Sequence, residues 1–94
     1  MPYMLARHKV EDYVKWKSGF DEGAALREAC GSKGGFIFRN ADDPNEVFLL
    51  LESDSLDKLR QHAQSEDLKE AMQQSGVIDE PDMYFVELDD RPAV

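Results

Sequence analysis

The sequence predicts an α+β domain with its elements in the order strand, helix, strand, strand, helix, strand. Three observations carry this reading. Two long stretches place apolar residues at three- and four-residue steps, as a helix with one buried face requires. Four short stretches are dense in β-branched, aromatic and leucine residues. Glycine, proline and Asx-rich segments separate them at the positions where turns are needed.

The first strand is Tyr3 to about Lys9. The first helix spans about Val10 to Ala29, with Val10, Tyr13, Val14, Trp16, Phe20, Ala24 and Ala25 on or near one stripe. Gly19 and Gly23 weaken it, since a glycine costs on the order of 1 kcal/mol against alanine in a helix. A bend is expected near Gly19, with Asp21 capping the segment that follows. Gly31 is the expected left-handed residue that ends the helix. The second strand is Gly35 to Asn40 (GFIFRN) and the third is Glu46 to Glu52 (EVFLLLE), joined as a hairpin by ADDPNE. The second helix starts at Asp54 or Ser55 and restarts at Ser65, where Glu66 and Asp67 place acids in a first turn. Gly76 closes it, with Val77 or Ile78 supplying the hydrophobic contact of the cap. The fourth strand is Met83 to Leu88 (MYFVEL), and the DDRPAV tail is expected to fray.

A βαββαβ order in one domain, residues 1–94, is the ferredoxin-like split motif. Right-handed crossovers give a four-stranded antiparallel sheet in the order 4-1-3-2, with both helices on one face. The strands do not alternate apolar and polar as a sheet with one wet face would. Val47 to Leu51 point both ways. Phe36 and Phe38 oppose Ile37 and Arg39, and Tyr84, Val86 and Leu88 oppose Met83 and Phe85. Two helices cover one face, so the other needs a partner. A second copy of the sheet, related by a two-fold axis, is the simplest one, and a homodimer packed face to face is expected.

Composition narrows the function classes. The formal charge is −9, with 11 basic residues against 20 acidic. That balance disfavours nucleic acid, whose binding depends on clustered Lys and Arg, and disfavours anionic membrane surfaces. The longest apolar run is too short to span a bilayer. The N-terminal residues lack the pattern of a secretory signal. With one cysteine, Cys30, no internal disulfide is possible, which fits a reducing, cytoplasmic setting. No metal site is expected: two isolated His and one Cys offer no ligand spacing. GSKGG precedes a strand and not a helix, so it is not read as a phosphate loop.

The candidate site residues are few. His8, at the end of the first strand, has the side chain best suited to abstract a proton near neutral pH. Tyr13 and Trp16 lie three residues apart on the first helix and share a face that could hold an aromatic ring. Arg39 sits among apolar neighbours and could hold an anionic oxygen bidentately; alternatively it pairs with an acid such as Glu52. Tyr84 is a further pocket candidate. Each has an ordinary structural alternative, such as a strand-end histidine or core aromatics. The cluster Arg7–His8–Lys9 reads either as part of a pocket or as a solvated strand–helix junction.

DYVKWKSGFDEGAALREACGSKGG, FRNADDPNEVFLLLE and HAQSEDLKEAMQQSGV, taken together, resemble the dimeric α+β barrel superfamily and its antibiotic biosynthesis monooxygenase-like members, across nearly the whole chain. The resemblance implies a cleft between the helices and the concave sheet. It also implies either a cofactor-free monooxygenase or isomerase acting on a small aromatic or enolisable compound, or a non-catalytic ligand-binding, accessory or stress-response dimer. In the first case His8 would be the base and Arg39 would steady the anion. The resemblance also implies a pocket position for His62, which falls where related proteins often carry a histidine on the second helix; a surface position is the alternative. Haem-degrading members place a Trp on the third strand, whereas the one Trp here, Trp16, is on the first helix.

Overall fold

The computed structural model describes all 94 residues. Its elements run β1 (Pro2–Lys9), α1 (Tyr13–Glu22), α2 (Ala24–Ala29), β2 (Ser32–Asn40), β3 (Asp43–Ser53), α3 (Leu56–Ala63), α4 (Glu66–Gln74) and β4 (Asp82–Glu87). The sheet is antiparallel throughout, in the order β2-β3-β1-β4. This is the predicted ferredoxin-like arrangement, with each predicted helix delivered as two shorter ones.

The first helix departs from expectation at both its start and its break. Val10 is not helical: it bridges Val77, and its N–H donates to the Asn45 carbonyl at 2.9 Å. Asp12 provides the N-cap, its carboxylate accepting from the Val14 N–H at 3.0 Å. The break falls at Gly23, not Gly19. Gly19 serves a different end. A Cβ there would sit 2.9 Å from the Ser75 Cβ, so glycine is what lets α1 approach the end of α4. Asp21 does not cap; it pairs with Lys17 one turn back at 2.6 Å.

The other caps follow the sequence. Ser55 and Ser65 accept from Lys58 N and Leu68 N, each at 3.2 Å, opening α3 and α4. After α4, Gly76 adopts φ +84°, and the Val77 N–H donates to the Met72 carbonyl at 3.0 Å. With Gly76 N donating to Gln73 O this is the Schellman pattern. Gly31 ends α2 with φ +80°. In the hairpin, the Asn40 side chain accepts from the Asp42 N–H at 2.8 Å, and both strands run longer than predicted.

Register assigns every strand residue to a face. Met4, Ala6, Leu49 and Leu51 point to the helices and, with Leu59, form the buried core. A second buried group, Val10, Trp16 and Val47, sits at the end of the sheet where α1 begins. The opposite face carries Phe36 (58% exposed), Phe38 (53%), Tyr84 (58%), Val86 and Leu88, beside a half-buried Leu5, Phe48 and Leu50. No helix of this chain covers it. The Phe36 and Phe38 rings stack at 6.0 Å. No helix is long and apolar enough to cross a membrane.

The cap at Gly76 gives a direct check. An L-residue held in the left-handed region costs roughly 1–2 kcal/mol. Gly76→Ala is therefore expected to lower the melting temperature by several degrees in a domain of this size, as measured by circular dichroism.

Candidate functional site

Between the helices and the inner sheet face lies a cavity of about 80 Å³, lined mostly by hydrophobic side chains. That exceeds the roughly 10–15 Å³ a single water needs and is smaller than the roughly 300 Å³ at which ligand pockets usually begin, so a ring-sized ligand requires the small residues around it to give way. The cavity and a polar surface cleft beside Lys15, Glu22 and Gln74 share Gly19, Gly23, Ala71 and Ser75. These small residues thus line both, where α1 approaches α4.

Three of the residues picked from the sequence meet here. His8, on β1, is 4% exposed and lines the cavity. Strand alternation sends it inward, while its neighbours Arg7 and Lys9 go the other way. Trp16, on α1, is buried beside it, with ring centroids 5.4 Å apart. His62, on α3, is 5% exposed and enters from the opposite helix pair, where helix-surface exposure was the alternative. Its Nδ1 lies 3.6 Å from the Cys30 Sγ.

The chemistry of His8 is unusual. Neither ring nitrogen has a hydrogen-bond partner within the protein, although both are buried. A neutral imidazole offers one donor and one acceptor, and leaving them unmade in the interior is costly. Burial pushes the His8 pKa below its ordinary value; Asp79 opposes this and Arg7 adds to it. Burial also lowers His62, helped by the charge of Arg27. Both rings are therefore neutral at neutral pH, and each can accept a proton.

The structure does not bring the remaining candidates to the cavity. Arg39 shares the cross-strand row of His8, but Val47 of β3 lies between them. Two strand spacings, roughly 10 Å, separate their backbones. Arg39 instead lies over the Tyr13 ring, 3.8 Å from its centroid, and donates Nε–H to the Pro44 carbonyl at 2.9 Å. It does not pair with Glu52. Tyr13 touches the site only through Trp16, at a centroid distance of 5.8 Å. Tyr84 pairs with Leu5 on the open sheet face, away from the cavity. Arg7 is held by Glu46 (2.9 Å), Asp79 (3.1 Å) and Asp82 (3.0 Å), so the basic cluster is divided across the sheet and largely neutralised.

Sequence reasoning missed two lining residues, Phe20 and Arg27. Phe20 stacks on Trp16 at 5.2 Å, and the Arg27 guanidinium lies 3.6 Å from the Phe20 ring centroid. The signal was present: Trp16, Phe20, Gly23 and Arg27 follow at steps of four, three and four residues, one continuous helical stripe.

The fold has counterparts among solved structures. A proposed antibiotic biosynthesis monooxygenase from Bordetella bronchiseptica superposes with a TM-score of 0.77 at 16% identity, covering 94% of this chain and 96% of that one. SnoaB from Streptomyces nogalater, a cofactor-independent oxygenase, gives 0.77 at 13% identity, covering 99% and 97%. A proposed monooxygenase of the same type from Caulobacter crescentus gives 0.72 at 18% identity, covering 95% and 90%. At these identities the likeness is one of fold: this chain shares the ferredoxin-like α+β arrangement of those proteins. No family model matches the sequence, and no curated protein matches it.

The lowered histidine pKa values have a definite consequence. The unfolded chain, whose histidines titrate near 6.5, binds more protons below that pH than the folded chain does. The stability that follows from burying neutral rings is complete above about pH 6.5 and falls as the pH drops below it. Proton NMR should show both histidines, the only two in the chain, titrating below 6.5 in the folded state.

Proposed function

We propose that the protein is a homodimeric, cytoplasmic, cofactor-independent enzyme of monooxygenase type, acting on a small aromatic or enolisable compound held in the helix-side cavity. The observation that carries this reading is His8: a buried imidazole with both nitrogens unpartnered, facing an apolar cavity beside Trp16. An apolar site with a few convergent polar groups and shifted pKa values is the usual form of a ligand site. The likeness to SnoaB supports the reaction class.

In the proposed reaction, neutral His8 takes one of the two protons of an acidic ring CH2 group of the substrate, and the second hydrogen on that carbon leaves later with the water. The resulting carbanion gives one electron to O2, and the two radicals combine into a peroxide anion. The imidazolium returns its proton to that peroxide. Loss of water then leaves a carbonyl, with one oxygen atom in the product and one in water. The substrate is the reductant and O2 the oxidant. Trp16 and Phe20 would position the ring, and the dry cavity would keep water from the carbanion.

A second reading rests on one observation. Neither His8 nor His62 is hydrogen-bonded to a carboxylate that would orient it as a base. This favours a ligand-binding dimer without turnover, an accessory or stress-response protein. Oxygen uptake with a panel of quinols and anthrones separates the two. Catalysis predicts uptake that falls by roughly 10²–10⁴ in His8→Ala, with binding retained. Uptake unchanged by that substitution removes His8 as the base. Binding with no uptake by the native protein selects the second reading.

The homodimer is proposed to form through the open sheet face, where Phe36, Phe38, Tyr84 and Val86 are left exposed by the helices. Phe38→Asp would place a charge in that contact. Sedimentation at micromolar concentration should give a dimer for the native chain and a monomer for the variant; a native monomer contradicts the proposal.

A further inference from the structure

We infer that the cavity selects ligands that carry an anionic group, and that Arg27 is the residue that anchors it. The inference rests on the reading of the cavity as a ligand site and adds the charge of what it holds.

The wall of the cavity is a ladder. His8 meets Trp16 at 5.4 Å, Trp16 stacks on Phe20 at 5.2 Å, and Phe20 carries the Arg27 guanidinium at 3.6 Å. The neutral base stands at one end and the cation at the other, with two aromatic faces between them.

Arg27 is not neutralised by the protein. It is half-buried, and no carboxylate lies within ion-pair distance of it. The nearest relevant acid, Asp21, is engaged by Lys17. One N–H, on Nη1, donates to the Phe20 carbonyl. A guanidinium has five N–H donors, and the rest of this fork has no protein acceptor. The remaining N–H groups are not sealed in the interior and are free to take a ligand oxygen. The contrast with the rest of the chain is sharp: the net charge is −9, yet no Asp or Glu lines the cavity and Arg27 does. A planar anion such as a carboxylate fits the fork geometry of an arginine.

Arg27 also has a structural part, since its bond to Phe20 O spans the α1–α2 break. The test must separate the two roles. The probe pair is 4-hydroxybenzoate and 4-hydroxybenzamide, nearly the same shape and different in charge. The readout is fluorescence of Trp16, the only tryptophan, which lines the cavity. The native protein should bind the benzoate roughly tenfold or more tightly than the amide, the scale of a hydrogen bond to a charged group. In Arg27→Gln that ratio should fall to about one with amide binding kept, and Arg27→Lys should restore part of it. A purely structural arginine would weaken both probes alike and leave the ratio unchanged, which would overturn the inference. Equal binding of the two probes by the native protein would overturn it as well, while leaving the cavity a ligand site. Binding of neither probe, with native protein that is folded by circular dichroism, would overturn it together with the ligand-site reading.

Discussion

Each strand of this sheet carries apolar side chains on both faces, and the chain has helices for only one of them. Most of what the molecule can do follows from how the two faces are used. On the helix side, Met4, Ala6, Leu49 and Leu51 interlock with Leu59 to make the core. Toward the α1 end, the side chains that meet are two histidines, a tryptophan and an arginine, and they pack around a cavity in place of filling it. On the other side, Phe36, Phe38 and Tyr84 stay more than half exposed. A small domain gains little from its own core alone, so this uncovered face is where assembly would add the stability that the single chain lacks.

The two faces also sort the charges. Arg7 and His8 are adjacent in sequence, but strand alternation sends one to a cage of three carboxylates and the other into an apolar interior. Three carboxylates neutralise Arg7 on one face, while on the other burial keeps the His8 pKa below its ordinary value. Asp79 ties the two environments together. It accepts from the Lys9 N–H at 2.7 Å and holds Arg7, while its charge acts on His8 through the sheet. The helix pairs do likewise on their side: His62 and Arg27 approach the cavity from α3 and α2, and the charge of one depresses protonation of the other. The outcome is a cavity with two proton acceptors and one fixed cation inside a strongly acidic chain.

The fold was legible because its signals are local and repeated. Non-alternating strands announced apolar side chains on both faces, Ser55, Ser65 and Gly76 announced helix ends, and the crossover rule left one topology. The first helix was less legible. Gly19 reads as a breaker by propensity, yet its actual constraint is a close approach to Ser75, a contact nearly sixty residues away that no local pattern encodes. The site was half legible. Trp16 follows the helical stripe, but strand parity alone does not say which face is inward, so the faces of His8 and Arg39 stayed open in the sequence. His62 had a surface position as an equal alternative, because helical period alone does not say which of several faces is covered. Arg39 proves to share the inner face with His8, and the lateral distance across the sheet separates the two. Arg27 was overlooked because an arginine on a helix usually belongs to solvent; only the packing of α2 against Phe20 turns it inward.

Native mass spectrometry of the protein at micromolar concentration, with and without an added aromatic acid, tests both faces at once. The account predicts a species of twice the chain mass that takes up one added ligand per chain. A species of single chain mass, or a dimer that takes up none, would contradict it.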